Sequence, residues 1–431
     1  MKRSPKNKWY LSALILTVFI LAGCGQGKAP AEAPTGQDPV QPAITSQPKP
    51  SSEAGIEPAA GSTTGTSPAA GSTTGTDPVP GSTTGTDPVP GSQTGTDPVP
   101  GSQLGSSPAA GSVAPGDSES SPADPSGSFT ALHGALSVEG ACLTDQNGDP
   151  IRLYGMSTHG IAWFPQYVSY DTFCTLRDDW NTNCVRLALY SDEYNGYSSG
   201  GDQEELTGLV RSGIDYATEL GMYVIVDWHV LHDQDPNVHK EDALDFFREI
   251  SSLYRDHTNI LYEICNEPNG YATWDSVRSY ADEVIPVIRE NDEDAVILVG
   301  SPSWSQNIDE AAASPLEFDN VMYTLHFYAA THTDDLRNRL ETCVNNGLPV
   351  FVSEFGMCDA SGNGGNDFVQ AEKWMELLDE YQISFFCWSL ANKDETCCVL
   401  NPGCEKTSGW SESDLSESGR WIRERFIATR L

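Results

Sequence analysis

Of the 431 residues, 61 are acidic and 24 basic, a formal charge of −37. A field of that sign repels nucleic acid and anionic lipid headgroups, so a neutral partner is the one it accommodates. The length admits two or three domains, but composition removes about the first quarter of the chain from that count.

Residues 1–23 carry Lys2, Arg3, Lys6 and Lys8 ahead of an apolar run from Trp9 to Ala22, too short and wrongly flanked for a stable membrane span. The segment reads as an export signal. Its end, Leu21-Ala22-Gly23-Cys24, resembles the bacterial lipobox, in which the cysteine is acylated and becomes the mature N-terminus. That resemblance implies a chain outside the cytoplasm, held at the cell membrane through lipid on Cys24 alone, each buried methylene contributing about 0.8 kcal/mol.

Residues 24–128 are dominated by Pro, Gly, Ser, Thr and Ala and have too few large apolar side chains to offset the entropy of ordering. A ten-residue unit recurs there: GSTTGTSPAA from Gly61, GSTTGTDPVP from Gly71 and Gly81, GSQTGTDPVP from Gly91. A period of ten without hydrophobic periodicity argues for a disordered spacer, which as a flexible coil spans about 50 to 60 Å.

Residues 129–431 are the folding unit. Asn147-Gly148 predicts a hairpin within Cys142 to Leu153. Eight apolar runs then read as strands: Leu153–Ser157, Cys184–Leu189, Tyr223–Asp227, Ile260–Cys265, Val296–Gly300, Val321–His326, Val350–Ser353 and Ser384–Trp388. Helical spacing lies between most of them, over Glu204–Leu220, Asp242–Tyr254, Asp275–Glu290, Asp334–Asn345 and Asp367–Tyr381. Eight β-α units with strands apolar throughout fit an α/β fold, a closed (β/α)8 TIM barrel. An open doubly wound sheet is the alternative, against which stands the lack of a glycine-rich nucleotide fingerprint after the first strand.

A barrel predicts chemistry at the C-terminal ends of its strands. Those ends carry His159, Arg186, Trp228-His229, Asn266-Glu267, Trp304, His326 with Tyr328, Glu354 and Trp388. Glu267 and Glu354, on the fourth and seventh strands, suit cleavage of a glycosidic bond by double displacement, one as protonated acid and one as ionised nucleophile. Glu267 is the expected acid, with Asn266 holding a sugar 2-hydroxyl beside it. Glu354 is the expected nucleophile, kept ionised by Arg186 and oriented by Tyr328. Trp163 and Trp388 are expected stacking platforms. Taken singly, a strand-end glutamate is more often a salt-bridged loop residue and a tryptophan more often core; the joint placement decides. His229, His232 and His239 beside Asp227 and Asp233 match no zinc spacing, so no metal and no cofactor is expected. Eleven cysteines have irregular spacing. Cys265 and Cys387 read as buried, and Cys397, Cys398 and Cys404 as the place for a local disulfide.

These residues resemble the endoglucanases of glycoside hydrolase family 5 (cellulase family A) over about Leu136 to Leu390. The resemblance rests on GMSTHGIAWF from Gly155, NCVRLALY from Asn183, GMYVIVDWHVL from Gly221, LYEICNEPNG from Leu261, SPSWSQNID from Ser301, MYTLHFYAATH from Met322, FVSEFGMCDASGNGG from Phe351 and CWSLANKDE from Cys387. It implies a retaining endo-β-1,4-glucanase acting as a monomer on cellulose or a related β-glucan. The acid/base falls on Glu267 and the nucleophile on Glu354. The supporting polar shell falls on Arg186, His229, Asn266, His326 and Tyr328. Glycone-side contacts fall on His159, Trp163, Tyr190, Trp388, Lys393 and Glu395, and Trp304 lies on the aglycone side. Cys387, Asn392 and the loop from Cys397 to Ser413 depart from the pattern. Mannan, xyloglucan or mixed-linkage glucan remain alternative substrates, and a glycan-binding lipoprotein with a decayed site the alternative class.

Overall fold

A computed structural model of the chain describes residues 128–429; the export signal, Cys24 and the repeats lie outside them. A short helix, Phe129–His133, is followed by two short strands, β1 (Ser137–Glu139) and β2 (Cys142–Thr144), paired antiparallel. The barrel strands are β3 (Tyr154–Thr158), β4 (Cys184–Tyr190), β5 (Tyr223–His229), β6 (Ile260–Glu263), β7 (Val296–Val299), β8 (Val321–Thr324), β10 (Val350–Gly356) and β11 (Phe385–Leu390). The two-residue β9 (Phe327–Tyr328) prolongs the path of β8 along β10. Neighbours follow chain order, all parallel, and β11 returns to β3 with Phe385 opposite Tyr154. The sheet therefore closes and leaves no edge, as a TIM barrel requires.

All five expected helices form, at Gln203–Glu219, Lys240–Leu253, Trp274–Arg289, Asp334–Asn345 and Phe368–Glu380. Tyr170–Trp180 and Glu417–Ala428 are two more that the apolar spacing did not reveal. Both announce themselves by their caps instead: Ser169 and Ser416 accept from the backbone N–H of Thr172 and Gly419. The Asn147-Gly148 turn exists, with Gly148 at φ +79°. The Asp145 carboxylate closes it by accepting from Asn147 N–H (2.8 Å) and Asp149 N–H (3.1 Å). Beyond it, though, the expected hairpin is the single bridge Thr144–Pro150, and the ladder of β2 is with β1.

Five strands, β3, β4, β5, β10 and β11, run further than their expected stretches. β5 holds its register against β4 through Asp227, Trp228 and His229, opposite Ala188, Leu189 and Tyr190. A polar residue ends a strand only where water competes for its backbone, and in a closed barrel both neighbours occupy those groups.

Two hydrophobic cores follow. The larger packs the outer faces of the strands against the helices. The smaller fills the barrel's lower interior with Tyr223, Ile225, Leu261, Leu298, Met322, Phe351 and Phe386, and is capped from below by Leu136 and Leu143. Going up the interior faces by steps of two, Cys184 gives way to Arg186, Ile225 to Asp227, Leu261 to Glu263 and Phe351 to Ser353. The expectation of strands apolar throughout is thus corrected: the lower interior is apolar, and the layer directly beneath the mouth is charged.

Candidate active site

Arg186 organises that charged layer. It is fully buried and donates from Nε to Glu263 Oε2 (2.7 Å) and from Nη2 to Glu263 Oε1 (3.1 Å), a bidentate fork. Nη2 also reaches Asn266 Oδ1 (2.8 Å) and lies 3.0 Å from Asp227 Oδ2. Nη1 donates to Ser157 Oγ (3.1 Å) and, at 3.4 Å, to Glu354 Oε2. The expected link from Arg186 to Glu354 is present, but it is the longest of the set, and the principal partner is Glu263.

Asn266 is held on both sides. Its Nδ2 donates to His229 Nε2 and to the carbonyl of Val230, each at 3.2 Å. His229 Nε2 is therefore the acceptor and its Nδ1–H points to Asp227 Oδ2 at 2.6 Å. A sugar hydroxyl that takes up the Asn266 amide must replace one of those two acceptors.

Glu267 reaches the mouth because its segment keeps following β5 after the ladder of β6 ends, with Asn266 N–H on Trp228 O (3.2 Å) and Glu267 N–H on Val230 O (3.0 Å). Gly300 backs this loop: a Cβ there would sit 2.3 Å from Cys265 O and 2.7 Å from Asn266 O, so only glycine allows the approach. The proton on Glu267 can be traced from below. Ser353 Oγ donates to Glu263 Oε1 (2.7 Å), so it accepts from His326 Nε2–H (2.8 Å). Burial pushes His326 down to about 4, which keeps the ring neutral, and its remaining Nδ1 lone pair faces Glu267 Oε1 at 2.9 Å. That contact is a hydrogen bond only if Glu267 carries the proton. Burial independently pushes Glu267 up to about 7. Ser353→Ala cuts the relay and frees His326 to place its proton on Nδ1, which favours the Glu267 carboxylate. The alkaline limb of the kcat/KM profile should then move to lower pH by about 0.7 unit, the worth of one hydrogen bond of about 1 kcal/mol. An unmoved limb would refute the relay.

Glu354 has the opposite surroundings. Tyr328 Oη donates to Oε1 at 2.7 Å and Arg186 Nη1 to Oε2, so both oxygens meet donors. Burial raises its carboxyl to about 7 and the charge of Glu267 adds to that, while Arg186 and the Tyr328 hydroxyl pull it down. Once Glu267 is neutral its contribution vanishes and the pulling groups remain, so Glu354 is the member of the pair that ionises first. Oxygens of Glu267 and Glu354, with a His326 nitrogen, lie within 4.8 Å of one another. The spacing would suit a cation, but one would have to break both the Glu267–His326 bond and the proton that makes it.

Aromatic groups wall the cleft. His159 lies 5.6 Å from Trp163 and 5.1 Å from Trp388 between ring centres, Tyr190 lies 4.6 Å from Trp163, and His229 stacks on Trp388 at 5.2 Å. Lys393 Nζ pairs with Glu395 Oε1 at 2.5 Å, and Glu395 Oε2 lies 3.9 Å from His159 Nε2. Across the cleft Trp304 is 49% exposed. Ser303, Trp304 and Ser305 have φ of +61°, +56° and +53°, a left-handed stretch costing roughly 1–3 kcal/mol per residue. It is pinned to the Glu267 loop by Trp304 N–H on Pro268 O (3.1 Å) and Ser305 Oγ–H on Asn266 O (2.6 Å).

The expected site residues of the barrel therefore gather at its C-terminal end, with Arg186 and Asn266 in the layer just beneath the cleft that the others line. His232 and His239 do not: they lie 3.6 and 3.2 Å from Asp192, apart from His229. The expected disulfide among Cys397, Cys398 and Cys404 is absent, since all three are free thiols, and Cys265 and Cys387 are buried as expected. The Asn392 side chain serves the loop, donating to Cys404 O at 2.8 Å. Glu263, Ser353 and Asp227 are the functional positions that the motif reading passed over. Their signal was the period of two inside the strands, visible only once the barrel interior is assigned.

A closed (β/α)8 barrel whose mouth sets a proton-bearing glutamate against an anion-holding one, between aromatic walls, is the architecture of a glycoside hydrolase. The model of the cellulase family, glycosyl hydrolase family 5, matches residues 144–394. Endoglucanase A of Butyrivibrio fibrisolvens is 48% identical over 293 residues, 67% of this chain and 68% of its own length. Endoglucanase A of Evansella cellulosilytica is 46% identical over 282 residues, 64% of this chain and 57% of its own. The catalytic domain of Thermobifida fusca endoglucanase Cel5A, solved as a variant in complex with cellotetraose, aligns with a TM-score of 0.67 at 40% identity, covering 70% of this chain and 100% of that domain. The chain belongs to glycosyl hydrolase family 5 and is a glycoside hydrolase. It spans 57 to 68% of the length of these two curated relatives.

Proposed function

We propose that the chain is a retaining endo-β-1,4-glucanase acting on cellulose or a closely related β-glucan. The observation that carries the reading is the approach of Glu267 and Glu354 oxygens to within 4.8 Å. Retention needs carboxyls about 5 to 5.5 Å apart, whereas inversion leaves about 6.5 to 9.5 Å for a water. Glu267 gives its proton to the glycosidic oxygen as a Glu354 oxygen attacks the anomeric carbon, breaking the C–O bond and forming a glycosyl ester. A water then attacks that carbon, its proton passing to the Glu267 carboxylate, and Glu354 leaves as carboxylate. Trp163 and Trp388 on one side and Trp304 on the other would stack on sugar faces.

The test is a panel of carboxymethylcellulose, mixed-linkage glucan, xyloglucan and mannan, with the anomer first released followed by NMR. Release of β-anomer from cellulosic substrate is expected. An α-anomer would overturn the double displacement, preference for mannan or xyloglucan would overturn the substrate, and no hydrolysis would favour the glycan-binding reading.

We also propose that lipid on Cys24 holds the enzyme outside the cytoplasm, with the repeats as spacer to a bulky polymer. The support is the Leu21-Ala22-Gly23-Cys24 sequence. Cys24→Ala is expected to move the protein into the soluble fraction or medium, and a variant that stays with the membrane would contradict it.

A further inference from the structure

Beside the cleft lies a group of thiols that hydrolysis does not use. After β11 the chain makes a turn in which Cys398 N–H donates to Glu395 O (3.1 Å), folding Glu395 back over both following cysteines. Cys397 N–H donates to Gly362 O (3.0 Å), tying the turn to the loop after β10, which carries Cys358 into contact with Cys397. A Glu395 oxygen and the Sγ atoms of Cys397 and Cys398 lie within 4.8 Å of one another. Cys397 lines the cleft, so the group borders solvent at that point.

Two thiolates on one Zn2+ at about 2.3 Å sit about 3.8 Å apart in a tetrahedral site, so small side-chain rotations gather this set around an ion. Sulfur donors select a soft divalent cation over Ca2+ or Mg2+, whose sites are built from oxygen. We propose that Glu395, Cys397 and Cys398, with Cys358 as fourth donor, form a site for a thiophilic divalent cation of the Zn2+ or Cd2+ kind. Each ligating thiol releases its proton to solvent, and the ion keeps its oxidation state. Contact with Cys358 and burial push the Cys397 thiol up, and contact with Cys397 and burial push the Cys398 thiol up, so without a cation they pack as neutral small hydrophobes. Occupation draws Glu395 away from Lys393 and His159, both on the cleft wall, and so lowers hydrolysis. That inhibitory half rests on the glucanase reading, and the binding half does not.

The test titrates the full-length, reduced, metal-free chain with Cd2+ and follows the ultraviolet thiolate-to-metal charge-transfer band beside hydrolysis of carboxymethylcellulose. One Cd2+ per chain with that band is expected, together with inhibition. Cys398→Ser, whose side chain lies outside the cleft, should weaken Cd2+ binding by about tenfold or more and keep its hydrolysis, now insensitive to Cd2+. Cys358→Ser is the second variant and should weaken binding in the same direction. Glu354→Gln, inactive, should keep the band. A band unchanged in Cys398→Ser and Cys358→Ser would place the ion on other thiols such as Cys142 and overturn the site. One Cd2+ bound without that band, and lost in Glu354→Gln, would place the ion on the carboxylate pair, which holds no thiol, and overturn it equally. Cd2+ inhibition that persists in Cys398→Ser would refute the coupling through Glu395.

Discussion

Glu354→Gln is expected to lower kcat on carboxymethylcellulose by roughly 10⁴-fold or more, because the amide neither attacks the anomeric carbon nor balances the charge that develops there. Glu267→Gln should cost a similar factor on the same polymer but for a different reason. Its glutamine cannot protonate the departing oxygen, so the loss should shrink sharply for formation of the glycosyl-enzyme from an aryl glucoside whose phenol leaves unprotonated. The two variants thus separate the roles: leaving-group acidity rescues one and not the other. Rescue of Glu354→Gln, or near-normal polymer hydrolysis by either, would overturn the assignment that rests on the proton relay from Glu263 to Glu267.

The largest effect on stability is expected at Arg186. Arg186→Met removes the fork that Glu263 accepts, and with it the cation facing Asp227 and Glu354, in a layer buried from solvent. Breaking a buried pair from one side costs about 3 to 5 kcal/mol, to be read from the urea midpoint at constant slope. The sign of the pH dependence follows from the carboxyls. Asp227, Glu267 and Glu354 are each raised by burial to about 7 from ordinary values of 3.8 and 4.5, so the folded state holds protons that the unfolded chain releases. Stability from such groups is fully present below the unfolded values and is lost as pH rises through the folded ones. Without the guanidinium they rise further, so the penalty should shrink toward pH 4 and grow toward pH 7. A penalty under about 1 kcal/mol, or one that grows on acidification, would mean that Arg186 does not neutralise this layer.

Much of the site was legible before any fold was known. Glu267 and Glu354 stand at the ends of apolar runs, and a barrel puts such ends on one rim whatever the loops between them do. The five helices with clean apolar spacing were legible for the same reason, since one buried face leaves its period in the chain. Tyr170–Trp180 and Glu417–Ala428 left a weaker period. Their sequences are rich in Asp, Glu and Arg, so the serine caps are the clearer signal. The paired-cysteine expectation failed because proximity does not by itself make a bond: Cys404 faces Lys406 O, while Cys397 and Cys398 touch each other, and Cys397 touches Cys358, as free thiols.

The sequence by itself determined the strand order, the two carboxylates, and their aromatic neighbours, because each is written locally as a run, its end and the residue that follows. Only the tertiary structure decided how the proton is held on Glu267, which the sequence had already marked as the acid. That arrangement passes through Arg186, Glu263 and Ser353 on three strands and His326 between β8 and β9, separated by up to 90 residues along each contact. Hydrogen-bond donors and acceptors acquire direction only when the barrel closes and excludes water from the layer between them.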